Sequence, residues 1–120
     1  MTKPYYDNIE VSSIKNKAYR DVQYTDRHMQ VVLMTLKPRE KIGMETHQGA
    51  QFFRVEKGSG LAIIEDKWYI LVDGAALTVP SGWRHDIINT SYTNSLHLYT
   101  IYSPPQHPSG TFEKHKPLDD

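Results

Sequence analysis

Helical periodicity of apolar positions is hard to find along this chain, whereas short β-branched and aromatic runs bounded by Gly, Pro, Asp or Asn recur along most of it. That pattern marks strands, not amphipathic helices. The longest run, HMQVVLMTLK at 28–37, stops at Pro38, which removes a backbone donor. IGMETH (42–47), QFFRVEKG (51–58), GLAIIE (60–65) and KWYILV (67–72) follow at intervals of a few residues. After the Asp73-Gly74 turn pair come AALTV (75–79), the turn Pro80-Ser81-Gly82, RHDIIN (84–89) and SLHLYTIY (95–102). Links this short permit mostly antiparallel pairing, and many short strands at close spacing predict a β-sandwich or barrel such as a jelly roll. The barrel core is expected over 28–102, with a weakly patterned N-terminal arm or edge strand at 1–18 and a Pro-rich surface tail at 103–120.

Composition narrows the function. One hundred and twenty residues hold one core, so a single domain is expected. Fourteen basic and fourteen acidic residues balance, which gives no field to draw in nucleic acid or an anionic membrane. With no cysteine, any metal must be held by nitrogen and oxygen. Residues 1–15 lack an apolar signal core, and no run approaches the length of a membrane span. The expectation is a soluble cytoplasmic protein, and the sequon Asn89-Thr90-Ser91 is read as chance.

Strand alternation puts Glu45 and His47 on one face, since they stand two residues apart. Gln51 opens the next strand, and a tight link over 48–50 brings its amide oxygen to the same point. His85, after a turn, is expected to add a second imidazole from across the barrel. Two histidines and one carboxylate with open positions suit non-haem Fe(II), and equally Mn, Ni, Co or Zn.

From Gly74 the chain reads Gly, five residues, Pro80, one residue, Gly82, two residues, His85, three residues, Asn89. This resembles, at every fixed position, the second signature motif of the cupin superfamily. The first cupin motif is matched in part. His47 and Gly58 fall in place, Glu45 stands where the family usually has its first histidine, Gln51 where it has glutamate, and Arg39 where it has a leading glycine. The two motifs and their strands cover about residues 28–102. QFFRVEKGSG and LYTIYSPPQHPSGT look like short cupins described as mannose-6-phosphate isomerase-like. The resemblance implies a double-stranded β-helix in one domain, a metal near the barrel axis, and often a homodimer. It carries His47 and His85 over as ligands, with Glu45 and Gln51 at the two substituted ligand positions. Glu45 alone keeps a divalent site near a net charge of plus one, and a hard oxygen in place of imidazole favours Fe(II), Mn or Mg.

Other residues have plainer readings. Gly58, Gly74, Gly82 and Pro80 are turn chemistry, and Asn89 is a turn or strand-end residue. Phe52, Phe53, Trp68, Trp83 and Tyr99 are read as core or dimer-interface aromatics, core before all, with a substrate-pocket lining as the alternative for one of them. Arg54 lies opposite Gln51 and is read as a surface charge. His28, His97, His107 and His115 are solvated or hydrogen-bonded by default. His107 is also a candidate catalytic acid/base residue if the tail folds over the barrel mouth, and Glu45 is the other catalytic candidate, acting as ligand or as base but hardly both. Lys114-His115-Lys116 is too short for a nucleic-acid patch. The leading expectation is a metal-dependent isomerase acting on a sugar, sugar phosphate or similar small polar ligand. The alternatives are an Fe(II) dioxygenase and a non-catalytic small-molecule-binding module.

Overall fold

In the computed structural model, which describes residues 3–118, the short runs become antiparallel strands around one core. The described elements are α1 (Ile9–Lys15), β1 (Arg20–Thr25), β2 (Gln30–Leu36), β3 (Ala50–Lys57), β4 (Gly60–Ile64), β5 (Lys67–Leu71), β6 (Ala76–Val79), β7 (His85–Asn89), β8 (Leu96–Ser103) and β9 (Phe112–Glu113). One sheet has the order β6-β3-β8-β2-β1-β9, and the other β5-β4-β7. Their inner faces meet through Val32, Met34, Leu36, Phe53, Val55, Ala62, Ile64, Ile87, Leu96 and Leu98, so the predicted all-β barrel is what the chain forms.

The inward positions change character along each strand, and this places the chemistry. On β3 the inward series runs Gln51, Phe53, Val55, and on β8 it runs Tyr102, Thr100, Leu98, Leu96. On β2 Gln30 precedes Val32, Met34 and Leu36, and on β7 His85 precedes Ile87. The register sets Tyr102 opposite both Gln30 and Gln51. One end of the barrel is therefore apolar throughout, and the other carries a transverse row of buried polar side chains.

Four expectations are corrected. The N-terminal arm contains helix α1, started by Asn8, whose side chain accepts from the Val11 amide, with Glu10 in its first turn and Lys15 in its last. This helix packs on β2, β3 and β8, the sheet face on which Val31 and Leu33, pointing away from the barrel interior, are also buried. The core starts earlier than residue 28, because Arg20–Thr25 pairs with β2. IGMETH is no strand: only Lys41 and Glu45 bridge to β7, while the Gly43 amide turns aside to the Asp86 carboxylate at 2.8 Å. The tail is not a loose arm, since β9 pairs with β1 and Arg20 forms an ion pair with Glu113.

Of Phe52, Phe53, Trp68, Trp83 and Tyr99, Phe53 alone is fully in the core, which Tyr19 and Tyr102 also join. Phe52 and Tyr99 are half-buried and meet on the outside of the larger sheet, with ring centroids 6.4 Å apart. Trp68 and Trp83 are exposed, against the core reading, because β5 turns Trp68 outward and Trp83 lies in the turn before β7. Arg54 is exposed as expected and pairs with Glu56 at 2.7 Å. No described helix is long and apolar enough to cross a membrane.

Candidate metal centre

Three of the predicted ligands converge at the polar end of the barrel. One ligand atom from each of Glu45, His47 and His85 lies within 4.8 Å of the other two. The Glu45 carboxylate oxygen Oε1 is 3.2 Å from His47 Nε2 and 3.9 Å from His85 Nε2. His85 does not reach over from across the barrel. It is the direct neighbour of Glu45, with the two backbones exchanging both hydrogen bonds at 3.0 Å. The Pro80-Ser81-Gly82 turn fixes His47 as well. Gly82 has φ +83°, and its amide donates to the His47 carbonyl at 2.8 Å. Gly49 lets the next strand start close by, since a Cβ there would lie 2.6 Å from the Ser103 carbonyl oxygen.

The tautomer of His85 is set from behind. Its Nδ1 is 3.0 Å from the Trp83 carbonyl, which accepts only from a protonated nitrogen, so Nε2 is left with its lone pair facing the site. That Nε2 is buried and has no hydrogen-bond partner among the described residues, as is also true of His47 Nδ1 and Gln51 Oε1. Gln51 spends its amide NH₂ on Thr100 Oγ1 at 2.9 Å. Buried acceptors without donors are costly, and a cation satisfies them; the donor set of two imidazoles, one carboxylate and one amide oxygen fits a divalent ion. Gln51 stands beside Tyr102 in the transverse row, and the Tyr102 ring meets the His47 ring edge-on at 5.6 Å.

Electrostatics agree with this use. Burial alone pushes the Glu45 carboxyl up, but the hydrogen bond from His47 and the charges of His47, His85 and Arg20 hold it below its ordinary value. Burial, helped by His47 and opposed by the Trp83 carbonyl, pushes the His85 imidazole below its ordinary value, the direction that favours its neutral form. Metal ligation needs both states.

The tail closes over this end. Gln30, fully buried, accepts from the amides of Gln106 and His107 at 3.1 and 3.0 Å and donates to the His107 carbonyl at 2.7 Å. His107 is thereby set edge-on to Tyr102, with Nε2 3.4 Å from the phenol oxygen. Burial first, then the charges of Arg20 and His47, bring its pKa down to about 4. Sequence reasoning missed Gln30 and Tyr102. The available signal was their inward parity on strands that otherwise place apolar residues there.

The other histidines follow their default readings. His28 and His115 are exposed, and His97 Nδ1 lies 3.2 Å from Thr35 Oγ1. Asn89 is a strand-end residue, and its amide nitrogen bonds the carbonyls of Leu36, Lys37 and Asn94. A pocket of about 340 Å³ opens beside His47, lined by Thr46, Gln48, Gly49, Pro104, Pro105 and Gln106. A pocket of about 860 Å³ lies at the other end of the barrel, around Lys57, Asp73 and His97, away from the convergent ligands.

Comparison with known proteins agrees with this architecture. The chain is 42% identical over 117 residues to the uncharacterized protein L612 of Acanthamoeba polyphaga mimivirus, covering 94% of this chain and 73% of that one. It is 39% identical over 121 residues to the uncharacterized protein YrkC of Bacillus subtilis strain 168, covering 95% of this chain but 64% of YrkC. The crystal structure of BH2720 from Bacillus halodurans superposes with a TM-score of 0.92 at 38% identity, over 95% of this chain and 91% of that one. KdgF from Halomonas sp., at 16% identity and a TM-score of 0.67 over 72% of this chain and 78% of its own, shares the fold. Residues 32–102 match the family model described as Cupin domain, and with the barrel and its ligand cluster in place the chain belongs to the cupin family.

Proposed function

We infer that the protein is a metal-dependent cupin acting on a small polar metabolite with neighbouring oxygen atoms, a sugar or sugar phosphate by class. The observation that carries this reading is the convergence of Glu45, His47 and His85, with the unpartnered His85 Nε2 buried among them. These three residues would hold the ion, and Gln51 would add its amide oxygen. A bound divalent ion supplies Lewis-acid polarisation of a carbonyl or hydroxyl oxygen.

The chain's own groups have distinct roles. Glu45, held anionic between two imidazoles, serves as ligand rather than base. His107, neutral above pH 4 and fixed through Gln30, is the group available to take and return a proton at Nε2. The pocket beside His47 admits the substrate, and its 340 Å³ is at the small-metabolite end of the usual range.

Elemental analysis of protein purified without chelator, beside His47→Ala and His85→Ala, tests the reading. About one transition metal per chain, lost in both variants, is expected. Turnover of aldose and ketose phosphates, with and without oxygen, then separates isomerisation from oxygen chemistry. A protein that takes up none of Fe(II), Mn, Ni or Zn overturns the metalloenzyme reading and leaves a binding module.

A further inference from the structure

Three lysines from distant parts of the chain meet at one place on the surface. Lys15 ends α1, Lys17 follows it, and Lys114 comes directly after β9, yet together with Asn16, Ala18 and Phe112 they line one pocket of about 480 Å³. The pairing of β9 with β1 brings them together. The Tyr19 amide donates to the Lys114 carbonyl at 3.2 Å, which extends the ladder past the Arg20 and Glu113 pair. Alternation along β9 then sorts its side chains. Glu113 turns inward to its ion pair with Arg20, while Phe112 and Lys114, on either side of it, face outward and are exposed.

No carboxylate lines this pocket. Among the described residues none of its three lysines forms an ion pair, and the acidic groups closest in the fold are engaged elsewhere. Glu113 holds Arg20, Glu40 accepts from the Lys37 amide at 3.0 Å, and Asp21, opposite Phe112 in the ladder, is not among the lining residues. Lys37 adds to the same side, since its Nζ lies 3.1 Å from Nδ1 of His115, the residue after Lys114. Lys15 also faces the negative end of α1, but Lys17 and Lys114 have no such neighbour. A chain of zero formal net charge therefore carries a local positive field here.

We propose that this pocket binds a nucleoside polyphosphate, with the base stacked on Phe112 and the phosphates held by Lys15, Lys17 and Lys114. The Phe112 ring, Ala18 and the lysine stems make an apolar wall, and the ammonium groups make a cationic rim. Lysine meets phosphate as a point charge from many directions, and an exposed aromatic face accepts any base. Free phosphate uses only the rim and a free nucleoside only the wall, so the ligand that fits carries both. The volume suits one such molecule, and a single exposed ring stacks one base rather than a strand. The pocket shares no residue with the metal centre or with the pocket beside His47, so this inference stands apart from the function proposed above.

Calorimetric titration of the full chain with ADP, adenosine and pyrophosphate tests the site. At about 50 mM salt ADP is expected to bind with a Kd of about 0.1–1 mM, and adenosine and pyrophosphate each about tenfold more weakly. Treatment with chelator should leave the ADP affinity unchanged. Lys17→Glu with Lys114→Glu should weaken ADP about tenfold or more, whereas Lys67→Glu, the same charge change on exposed β5, should not. Phe112→Ala should weaken ADP about fivefold and leave pyrophosphate unaffected, which a charged surface without a stacking ring does not do. Thermal melts follow each variant; all four positions are exposed, and Phe112→Ala keeps the test decisive if the double reversal does not fold. No binding of ADP up to about 5 mM overturns the proposal. So do equal affinities for ADP and pyrophosphate, equal weakening by Lys67→Glu, or an affinity that survives the double reversal. Loss of ADP binding on chelation assigns the ligand to the metal centre and overturns it too.

Discussion

Replacing Gln51 by Glu asks directly whether this side chain faces the cation position. In the native chain the residue is 3% exposed, its NH₂ is held by Thr100, and its carbonyl oxygen has no donor. A carboxylate there can no longer donate to Thr100, whose hydroxyl can turn to donate to it, but it buries a charge without a cation, which costs about 3 kcal/mol. A 120-residue domain has an unfolding entropy near 0.25 kcal/mol/K, so the metal-free variant should melt about 12 °C lower at neutral pH. The sign of the pH dependence follows from burial. The folded carboxyl titrates above its unfolded value of about 4.3, so the variant matches the parent below that pH and loses stability as pH rises through the folded pKa.

Excess Mn(II) or Ni(II) should reverse the order of response. A second anionic ligand that tightens binding tenfold adds about 1.4 kcal/mol of metal-linked stabilisation, or about 5 °C, beyond what the wild type gains. Gln51→Leu provides the complement, with a smaller metal response than the wild type. Differential scanning fluorimetry with and without chelator reads all three proteins. Equal metal-induced shifts in wild type and Gln51→Glu would refute the reasoning and make Gln51 a structural residue.

Two further outcomes follow from the geometry. Because folding lowers the His107 pKa from 6.5 to about 4, the metal-free protein is fully stabilised above pH 6.5 and loses stability as pH falls towards 4. His107→Gln should remove about 1–2 kcal/mol of that acid sensitivity, allowing for partial exposure, as read from urea midpoints across the window. Asn89→Ala leaves three carbonyls without their donor, and should cost about 3 kcal/mol in urea melts while the folded fraction keeps its metal content.

The strands from β2 to β8 were legible because each is a short run rich in β-branched and aromatic residues bounded by turn residues, although 42–47 was read as a strand and is not one. Segments where another interaction competes with that pattern were not. β1 presents Arg20 inward, a residue type that argues against a buried strand until its partner Glu113 is known, ninety-three positions away. Helix α1 has seven residues, two of them serines, so its apolar stripe is too short to register against strand-like flanks. The tail looked free because its anchor, Gln30, reads as an ordinary polar residue before a strand. The altered first motif was legible in a subtler way. Arg39, at the missing glycine, adopts φ +66°, and its guanidinium lies 4.5 Å over the Tyr92 ring. The backbone conformation is kept at a cost of about 1 kcal/mol, which the cation–π contact offsets.

Two glutamines in one transverse row show how packing and function separate. Gln30 and Gln51 both lie opposite Tyr102, on neighbouring strands, and both are buried. Gln30 is fully used: its oxygen accepts two amides of the tail, and its nitrogen serves Thr25 and the His107 carbonyl. Gln51 donates to Thr100 and leaves its oxygen bare. A buried amide oxygen without a donor is destabilising by about 1–3 kcal/mol, and an apolar residue of similar size would avoid the penalty. The same fold satisfies a glutamine completely one strand away, so the bare oxygen is not a failure of packing. It belongs with His85 Nε2, a second bare acceptor at the same end of the barrel, and the two together describe a place prepared for positive charge.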